Sequence, residues 1–227
     1  MALLRSSKVS DPAPIIRGKS VMLRAPLMSD YPAWAELRAL SRDHLEPWEP
    51  LWSRDELTRT AFRRRIRHYQ RESREDLGYA YLVFAAPQPV AASATTRMNF
   101  DGRRIAMAQS APTPPPLVGG VTLTNVRRGV TQAATLGYWL GGPFVGRGLM
   151  RDAVSALIPF AFDVLRLHRI EAAVMPSNTA SLRVLDRLGF VREGLARRYL
   201  KIAGRWEDHL FYALLAEDVG RSEGISL

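Results

Sequence analysis

The feature that most constrains this chain is a strand-like segment, a glycine-rich turn and a helix-like segment in direct succession. These are residues 136–140 (LGYWL), 141–148 (GGPFVGRG) and 149–157 (LMRDAVSAL). A helix begins with backbone N–H groups that lack intrahelical partners, and glycines let an anion approach that backbone. The succession therefore predicts a phosphate-binding turn in an α/β protein. The alternative is that the glycines serve only close packing.

Two common nucleotide-binding motifs do not fit this turn. The dinucleotide pattern G-x-G-x-x-G fails because Arg151 stands at its third glycine. The P-loop pattern fails because no Gly-Lys-Ser or Gly-Lys-Thr is present.

Composition removes further classes of protein. The chain has 227 residues and no cysteine, which excludes disulfides, thiolate metal sites and a cysteine nucleophile. Its four histidines are scattered and form no H-E-x-x-H motif, so no metal is expected. The longest apolar run, 153–162, is too short to cross a bilayer. The N-terminus lacks a long apolar segment, so no secretory signal is expected. We therefore expect a cytoplasmic protein without a membrane role.

The chain is strongly basic, with a formal net charge of +10. Many arginines fall between residues 63 and 74, interleaved with Glu72 and followed by Glu75 and Asp76. This pattern is typical of a solvated helix face. It also suits an anionic partner such as RNA, the ribosome or a phosphorylated cofactor. No direct role on DNA is expected.

Hydrophobic periodicity predicts the element order β-α-α-β-β-β-α-β-α-β-β in one domain over residues 18–217, between tails at 1–17 and 218–227. Residues 86–116 contain six prolines and predict a hairpin or loop excursion with a turn at Asp101-Gly102. A linker between two domains is the alternative. Pro159 predicts a kink in the helix after the glycine turn.

Helix starts carry their own signals. Ser29 or Asp30 is expected to cap the first helix, with Pro32 in its first turn. Ser53 and Glu56 fit a capping box, which predicts a second, basic helix from there to about Asp76. The prolines at 47 and 50 predict a turn over residues 44–50.

The stretch from LGYWLGGPFVGRGLMRDAVSAL through VMPSNTASLRVLDRLGFVREG resembles the GNAT acyl-CoA N-acetyltransferases, most of all the RimJ/RimL subgroup. The segments HLEPWEP (44–50) and KIAGRWEDHLFYALL (201–215) are also similar to that subgroup. The resemblance implies an α/β (α+β) fold with a mixed sheet of about seven strands flanked by about four helices.

The resemblance also implies acetyl-CoA as cosubstrate, held between two diverging strands at 134–140 and 169–175. Backbone groups would bind the pantetheine arm and the helix start would bind the pyrophosphate. The first position of the family turn, Gln or Arg, is Pro143 here, which leaves the backbone amides unaffected. The implied cofactor-binding residues are Trp139, Leu140, Val145, Gly146, Arg147, Gly148, Leu149, Met150, Asn178 and Ser181.

The catalytic residues implied by the resemblance include one departure. The tyrosine that protonates the leaving thiolate in many members is replaced by Leu185, so Ser181, one turn earlier, is the expected donor. Glu193 matches a proposed general base in RimL-type members. An α-amine has a pKa of about 8, so a modest fraction is already neutral at neutral pH.

The acceptor side is expected to involve Glu46, Trp48 and Glu49 in the HLEPWEP loop, together with Tyr138. The favoured acceptor is the N-terminal α-amine of a protein, possibly a ribosomal one. Two alternatives stay open: a small amine such as an aminoglycoside, polyamine or amino acid, and a non-catalytic basic protein that associates with ribosome or RNA. The chain is expected to be a monomer or homodimer.

Overall fold

The computed structural model describes residues 14–86, 97–98, 104–105 and 114–219. These residues form one mixed sheet of eight strands, in the order β1-β2-β3-β6-β7-β8-β10-β9, and a separate ribbon of β4 and β5. The strands are β1 (Ile16–Arg17), β2 (Val21–Arg24), β3 (Tyr79–Ala85), β4 (Arg97–Met98), β5 (Arg104–Ile105), β6 (Leu117–Arg127), β7 (Ala133–Leu140), β8 (Arg169–Val174), β9 (Val191–Ile202) and β10 (Arg205–Leu215).

In the described part of the chain, five α-helices cover the two faces of the sheet: α1 (Tyr31–Leu40), α2 (Arg42–Leu45), α3 (Arg59–Arg74), α4 (Leu149–Pro159) and α5 (Thr179–Arg187). One buried cluster lies between the sheet and α4 and α5, and includes Leu157 and Leu185. A second lies under α1 and α3, and includes Trp34 and Phe62. Among the described residues, no helix is long and apolar enough to cross a membrane.

The predicted α/β class is confirmed, with small differences in the elements. Ile16 and Arg17, which the sequence placed in the tail, pair with β2 as the short strand β1. The predicted turn at 44–50 instead begins with α2 and one 3-10 turn, Glu46–Trp48. In the 86–116 segment, β4 pairs with β5, whereas the turn expected at residues 101–102 lies outside the described residues.

The helix boundaries follow the local sequence signals only in part. The helix α3 is capped by Thr58, whose side chain accepts a hydrogen bond from Ala61 N, so the predicted cap at Ser53 is wrong. Ser53 donates instead to the Asp55 carboxylate at 2.8 Å. Pro159 does interrupt its helix, because residues 160–164 continue as a single π-helical turn.

The sheet contains one parallel pair among its described strands, β7 with β8. Their pairing covers only Ala133 to Thr135 on β7 and Arg169 to Glu171 on β8. Beyond these residues, β7 stays paired with β6 and β8 with β10. The two strands therefore separate towards their C-terminal ends, as the resemblance implied.

Candidate active site

The free edge of β7 is set by the alternation of its backbone. Gly137 accepts a hydrogen bond from the side chain of Thr122 on β6, and Gly141 N donates to Val118 O at 2.8 Å. Odd-numbered residues of β7 thus face β6, and the even-numbered Tyr138 and Leu140 turn their backbone groups towards the gap beside β8. Leu140 keeps its predicted place at this edge. Trp139 does not, since its backbone faces β6.

The glycine turn after β7 has an open approach to its backbone. Gly146 has φ +76° and Gly148 has φ +73°, and a Cβ built on either would meet no atom within 4 Å. Among the described residues, the N–H groups of Gly146, Arg147 and Gly148 donate to no backbone carbonyl or side chain. The N–H of Val145 is already used by Gly142 O at 3.4 Å. The backbone amides that are available to bind a phosphate therefore begin at Gly146, one residue later than predicted.

A cavity of about 520 Å³, which we call the cleft cavity, extends from the free edge of β7 to the starts of α4 and α5. It brings together most of the residues that the sequence singled out. They are Trp48, Glu49, Tyr138, Trp139, Leu140, Val145, Gly146, Gly148, Leu149, Met150, Asn178 and Ser181.

A hydroxyl pair lies in the wall of the cleft cavity. Tyr138 Oη is 2.7 Å from Ser181 Oγ, and Tyr138 also donates to Ser181 O at 3.2 Å. Burial raises the pKa of Tyr138 to about 12, although its hydrogen bond with Ser181 opposes the shift. The phenol is therefore protonated at neutral pH. Asn178 caps α5 by accepting from Ser181 N at 3.1 Å, which leaves its amide group as a donor.

A second cavity, of about 410 Å³, lies on the other side of β7 under α1 and α3. We call it the aromatic cavity because Trp34, Trp52 and Trp139 line it. The two cavities share three residues: Glu49, Tyr138 and Trp139. Glu49 is the one carboxylate in the described chain that lines both.

Glu49 is held firmly in place. Arg38 donates to its two carboxylate oxygens at 2.7 and 2.6 Å, and Trp52 Nε1 donates to Oε2 at 2.8 Å. The Arg38 guanidinium in turn stacks between Trp52 and Trp139, at 4.4 and 5.1 Å from the ring centroids. The backbone oxygen of Glu49 accepts from Ala203 N at the tip of the β9–β10 hairpin. One acceptor position of Oε1 remains for a further donor.

The position of Trp139 depends on a glycine across the sheet. A Cβ on Gly120 would lie 2.5 Å from Trp139 Nε1. The indole therefore lies against the bare backbone of β6 and forms the floor of the aromatic cavity. Trp139 was predicted to act through its backbone, but it contributes its side chain on the opposite side of the strand.

Comparison with known proteins explains this architecture. Residues 20–191 match the family described as acetyltransferase (GNAT) domain, which is more than half of the chain. The chain belongs to the GNAT acetyltransferase family. This GNAT chain is an acetyltransferase related to ribosomal-protein N-acetyltransferases.

Its relatives include "Probable N-acetyltransferase YjcK" of Bacillus subtilis, 34% identical over 204 residues, which are 90% of this chain and 98% of the relative. The "[Ribosomal protein uS5]-alanine N-acetyltransferase" of Escherichia coli is 30% identical over 207 residues, 90% and 93% of the two chains. The structure of Mycobacterium smegmatis RimJ in complex with CoA-disulfide has 31% identity and a TM-score of 0.73, over 91% of this chain and 88% of that one.

Three predicted residues lie outside both cavities of this acetyltransferase. Glu46 is 41% exposed and pairs with Arg42 at 2.6 Å. The Arg147 side chain turns back to Pro143 O at 2.8 Å. Their functional groups are therefore engaged on the surface.

Glu193 is the third, and the geometry does not support it as the general base. Its exposed carboxylate forms a two-point ion pair with Arg169 at the start of β8, the end at which β7 and β8 are still paired. The hydrogen bond from Arg169 lowers the pKa of Glu193. The ion pair holds the carboxylate at the exposed surface of β9, outside both cavities.

The sequence also missed residues that line the cavities of this GNAT site. Arg183 and Arg187 are four residues apart on α5 and both line the cleft cavity. The helical spacing was the signal that could have identified them. The aromatic cavity is lined by Arg38 from α1, by Trp52 and Glu56 from the loop before α3, and by Arg65 from α3, so no single local pattern could have grouped them.

Proposed function

We propose that this acetyltransferase moves an acetyl group from acetyl-CoA to the N-terminal α-amine of a protein, with a ribosomal protein as the favoured acceptor. The observation that carries the proposal is the meeting of two cavities at Glu49, Tyr138 and Trp139. One cavity suits a phosphate-bearing donor, and the other suits an amine with an apolar neighbour. The related uS5-alanine N-acetyltransferase supports the choice of acceptor.

The cleft cavity fits acetyl-CoA, which supplies an acetyl group activated as a thioester. The free N–H groups of Gly146, Arg147 and Gly148 suit a pyrophosphate, because nothing crowds their turn. Tyr138 and Leu140 offer unpaired backbone groups to the amides of a pantetheine arm. Arg183 and Arg187 supply positive charge at the same cavity. Asn178 adds a side-chain amide donor.

Glu49 is the residue we assign to the acceptor amine. An α-amine has a pKa of about 8, so a modest fraction is neutral at pH 7 and the base removes a proton as attack proceeds. Oε1 of Glu49 keeps one acceptor position and lies where the cavities meet. Arg38 and Trp52 fix the orientation of the carboxylate, which favours a single productive pose of the amine.

The hydroxyl pair is assigned to the leaving group. Ser181 Oγ is placed to donate to the departing sulfur, and Tyr138 can pass a proton to Ser181 through their 2.7 Å contact. A cysteine-linked intermediate is excluded because the chain has no cysteine. Direct attack of the amine on the thioester within one ternary complex is therefore the proposed route.

Two of the earlier alternatives receive less support. The aromatic cavity pairs each of its carboxylates, Glu49 and Glu56, with an arginine, so it offers no surplus negative charge to a polycationic acceptor. The non-catalytic alternative does not account for a GNAT domain with N-acetyltransferase relatives. We propose the cytoplasm as the site of reaction. A monomer or homodimer remains a prediction.

The test is turnover of acetyl-CoA with peptides that copy ribosomal-protein N-termini, run beside spermidine and an aminoglycoside. We expect peptide acetylation at the α-amine, located by mass spectrometry, and the same peptides blocked by prior N-terminal acetylation should be inert. Turnover of only the small amines would overturn the choice of a protein acceptor.

A further inference from the structure

The aromatic cavity contains two Arg–Glu ion pairs, Arg38 with Glu49 and Arg65 with Glu56. The first pair is buried: the Arg38 side chain is 6% exposed and both its terminal nitrogens bind Glu49. Each terminal nitrogen keeps one N–H that Glu49 does not use, but the burial of the side chain makes these donors poorly accessible to a ligand. The two pairs therefore differ in what they can offer an acceptor.

Arg65 is the more available group of the second pair. Its side chain is 36% exposed, against 20% for Glu56. Nη2 donates to Glu56 Oε1, and most N–H donors of the guanidinium have no hydrogen-bond partner among the described residues. The ring of Trp34 lies 5.5 Å from its central carbon and supports the planar group from one side. Arg65 thus presents a supported, partly free guanidinium to the cavity.

Arg65 lies within the electrostatic range of Glu49. Burial lowers its pKa, but Tyr69, Glu56 and Glu49 together raise the pKa of Arg65 above its usual value. Glu49 and Arg65 line the same cavity of about 410 Å³, so an acceptor whose amine contacts Glu49 would place its next groups near Arg65. The overall charge of +10 adds a long-range attraction for anions.

We infer that the acceptor carries a carboxylate close to its reacting amine, and that Arg65 binds this carboxylate while Glu49 receives the amine. The inference rests on the proposed function and narrows its substrate class to acceptors with an acidic group near the amine. A guanidinium and a carboxylate form two parallel hydrogen bonds, which gives both affinity and orientation. The carboxylate has two chemical sources: an acidic side chain early in a peptide, or the free carboxyl group of an amino acid or dipeptide.

The experiment measures kcat/KM for C-terminally amidated pentapeptides that begin with alanine and carry Asp, Asn or Lys at position 2 or 3. We expect Asp to exceed Asn by about tenfold and Lys to be poorest, at one of the two positions. A second arm compares Ala-Ala with its amide. Preference for the free acid in this arm, without preference for Asp in the first, would assign the carboxylate to a small acceptor.

The chain offers a matched control for Arg65. Its neighbour Arg64 is also on α3 and pairs with a carboxylate of the preceding turn, Asp55, but it does not line the cavity. We expect Arg65→Gln to abolish the preference for the carboxylate, Arg65→Lys to retain part of it, and Arg64→Gln to leave it unchanged. Circular dichroism and acetyl-CoA affinity check that each variant is folded.

The outcomes separate this inference from the proposed function. Peptide acetylation with equal rates for Asp and Asn, or an Asp preference that survives Arg65→Gln, would overturn the inference alone. Folded protein that binds acetyl-CoA but acetylates no peptide and no free dipeptide would overturn both.

Discussion

The hydroxyl of Tyr138 on β7 lies 2.7 Å from the Oγ of Ser181 on α5, the helix that follows β8. A side chain of one separating strand thus reaches the helix after the other. Leu185, where many GNAT proteins have a tyrosine, is fully buried in the core. The phenol that we assign to the reaction centre therefore comes from a different element of the fold, β7.

Removal of either hydroxyl should slow acetyl transfer. We expect Ser181→Ala to lower kcat by 10- to 100-fold and Tyr138→Phe by about tenfold, since general acid catalysis contributes about 100-fold or more. Acetyl-CoA affinity, measured by calorimetry, should change little. Tyr199→Phe is the control, because Tyr199 stacks on His209 and Phe211 outside both cavities. A normal kcat for Ser181→Ala would contradict the assignment.

Glu49 and Glu46 provide a matched pair of carboxylates in the same loop. Glu49→Gln should lower kcat/KM for peptide by about 100-fold, because it removes the proton acceptor at the junction of the cavities. Glu46→Gln should have nearly normal activity, since its partner is the surface residue Arg42. Steady-state kinetics on both variants checks this, and equal losses would show that Glu49 has no special role.

Gly146 and Gly129 test the anion-binding turn. Both have positive φ, +76° and +65°, and open space where a Cβ would point. Each change to alanine should therefore cost about 1 kcal/mol of folding free energy. Only Gly146→Ala should also weaken acetyl-CoA binding, by calorimetry. Equal affinities for the two variants would argue against a ligand at this turn.

Glu193 should matter for stability rather than chemistry. Because Arg169 holds its pKa below the usual value of 4.5, the ion pair stabilises the folded state above that pH and is lost as pH falls through the lowered pKa. The side chain is 43% exposed, so after solvent screening we expect about 0.5 kcal/mol. Glu193→Gln should be slightly less stable than wild type at pH 7 and equal at pH 2–3 by urea denaturation.

The activity of Glu193→Gln tests the sequence-based expectation that Glu193 is the general base. Glu193→Gln should acetylate peptides at nearly the wild-type rate, because the carboxylate lies outside both cavities. A large loss of kcat with unchanged stability would return Glu193 to the role of base.

Local sequence patterns predicted the parts of the site that are continuous along the chain. The glycine turn before α4 follows from glycine chemistry within a few residues. The resemblance to acetyltransferases added acetyl-CoA as the expected ligand of this turn. The separation of β7 and β8 was also expected from it.

Contacts between distant elements could not be predicted this way. The pairing of Glu193 with Arg169 joins β9 to β8, and only the folded sheet shows that it neutralises the carboxylate. The stacking of Arg38 between Trp52 and Trp139 unites three separate segments. The backbone direction of Trp139 depends on the register of β7 against β6, which strand alternation alone leaves undetermined.

The alternation of β7 has a consequence for how this enzyme can vary. Under the proposed function, the neighbouring side chains of Tyr138 and Trp139 would contact donor and acceptor on opposite sides of a single strand. A deletion or insertion of one residue in this strand would turn its side chains to the opposite faces and impair the binding of both substrates together. New acceptor specificities should therefore arise by replacement of side chains on the surrounding helices and loops, while the length of β7 stays constant.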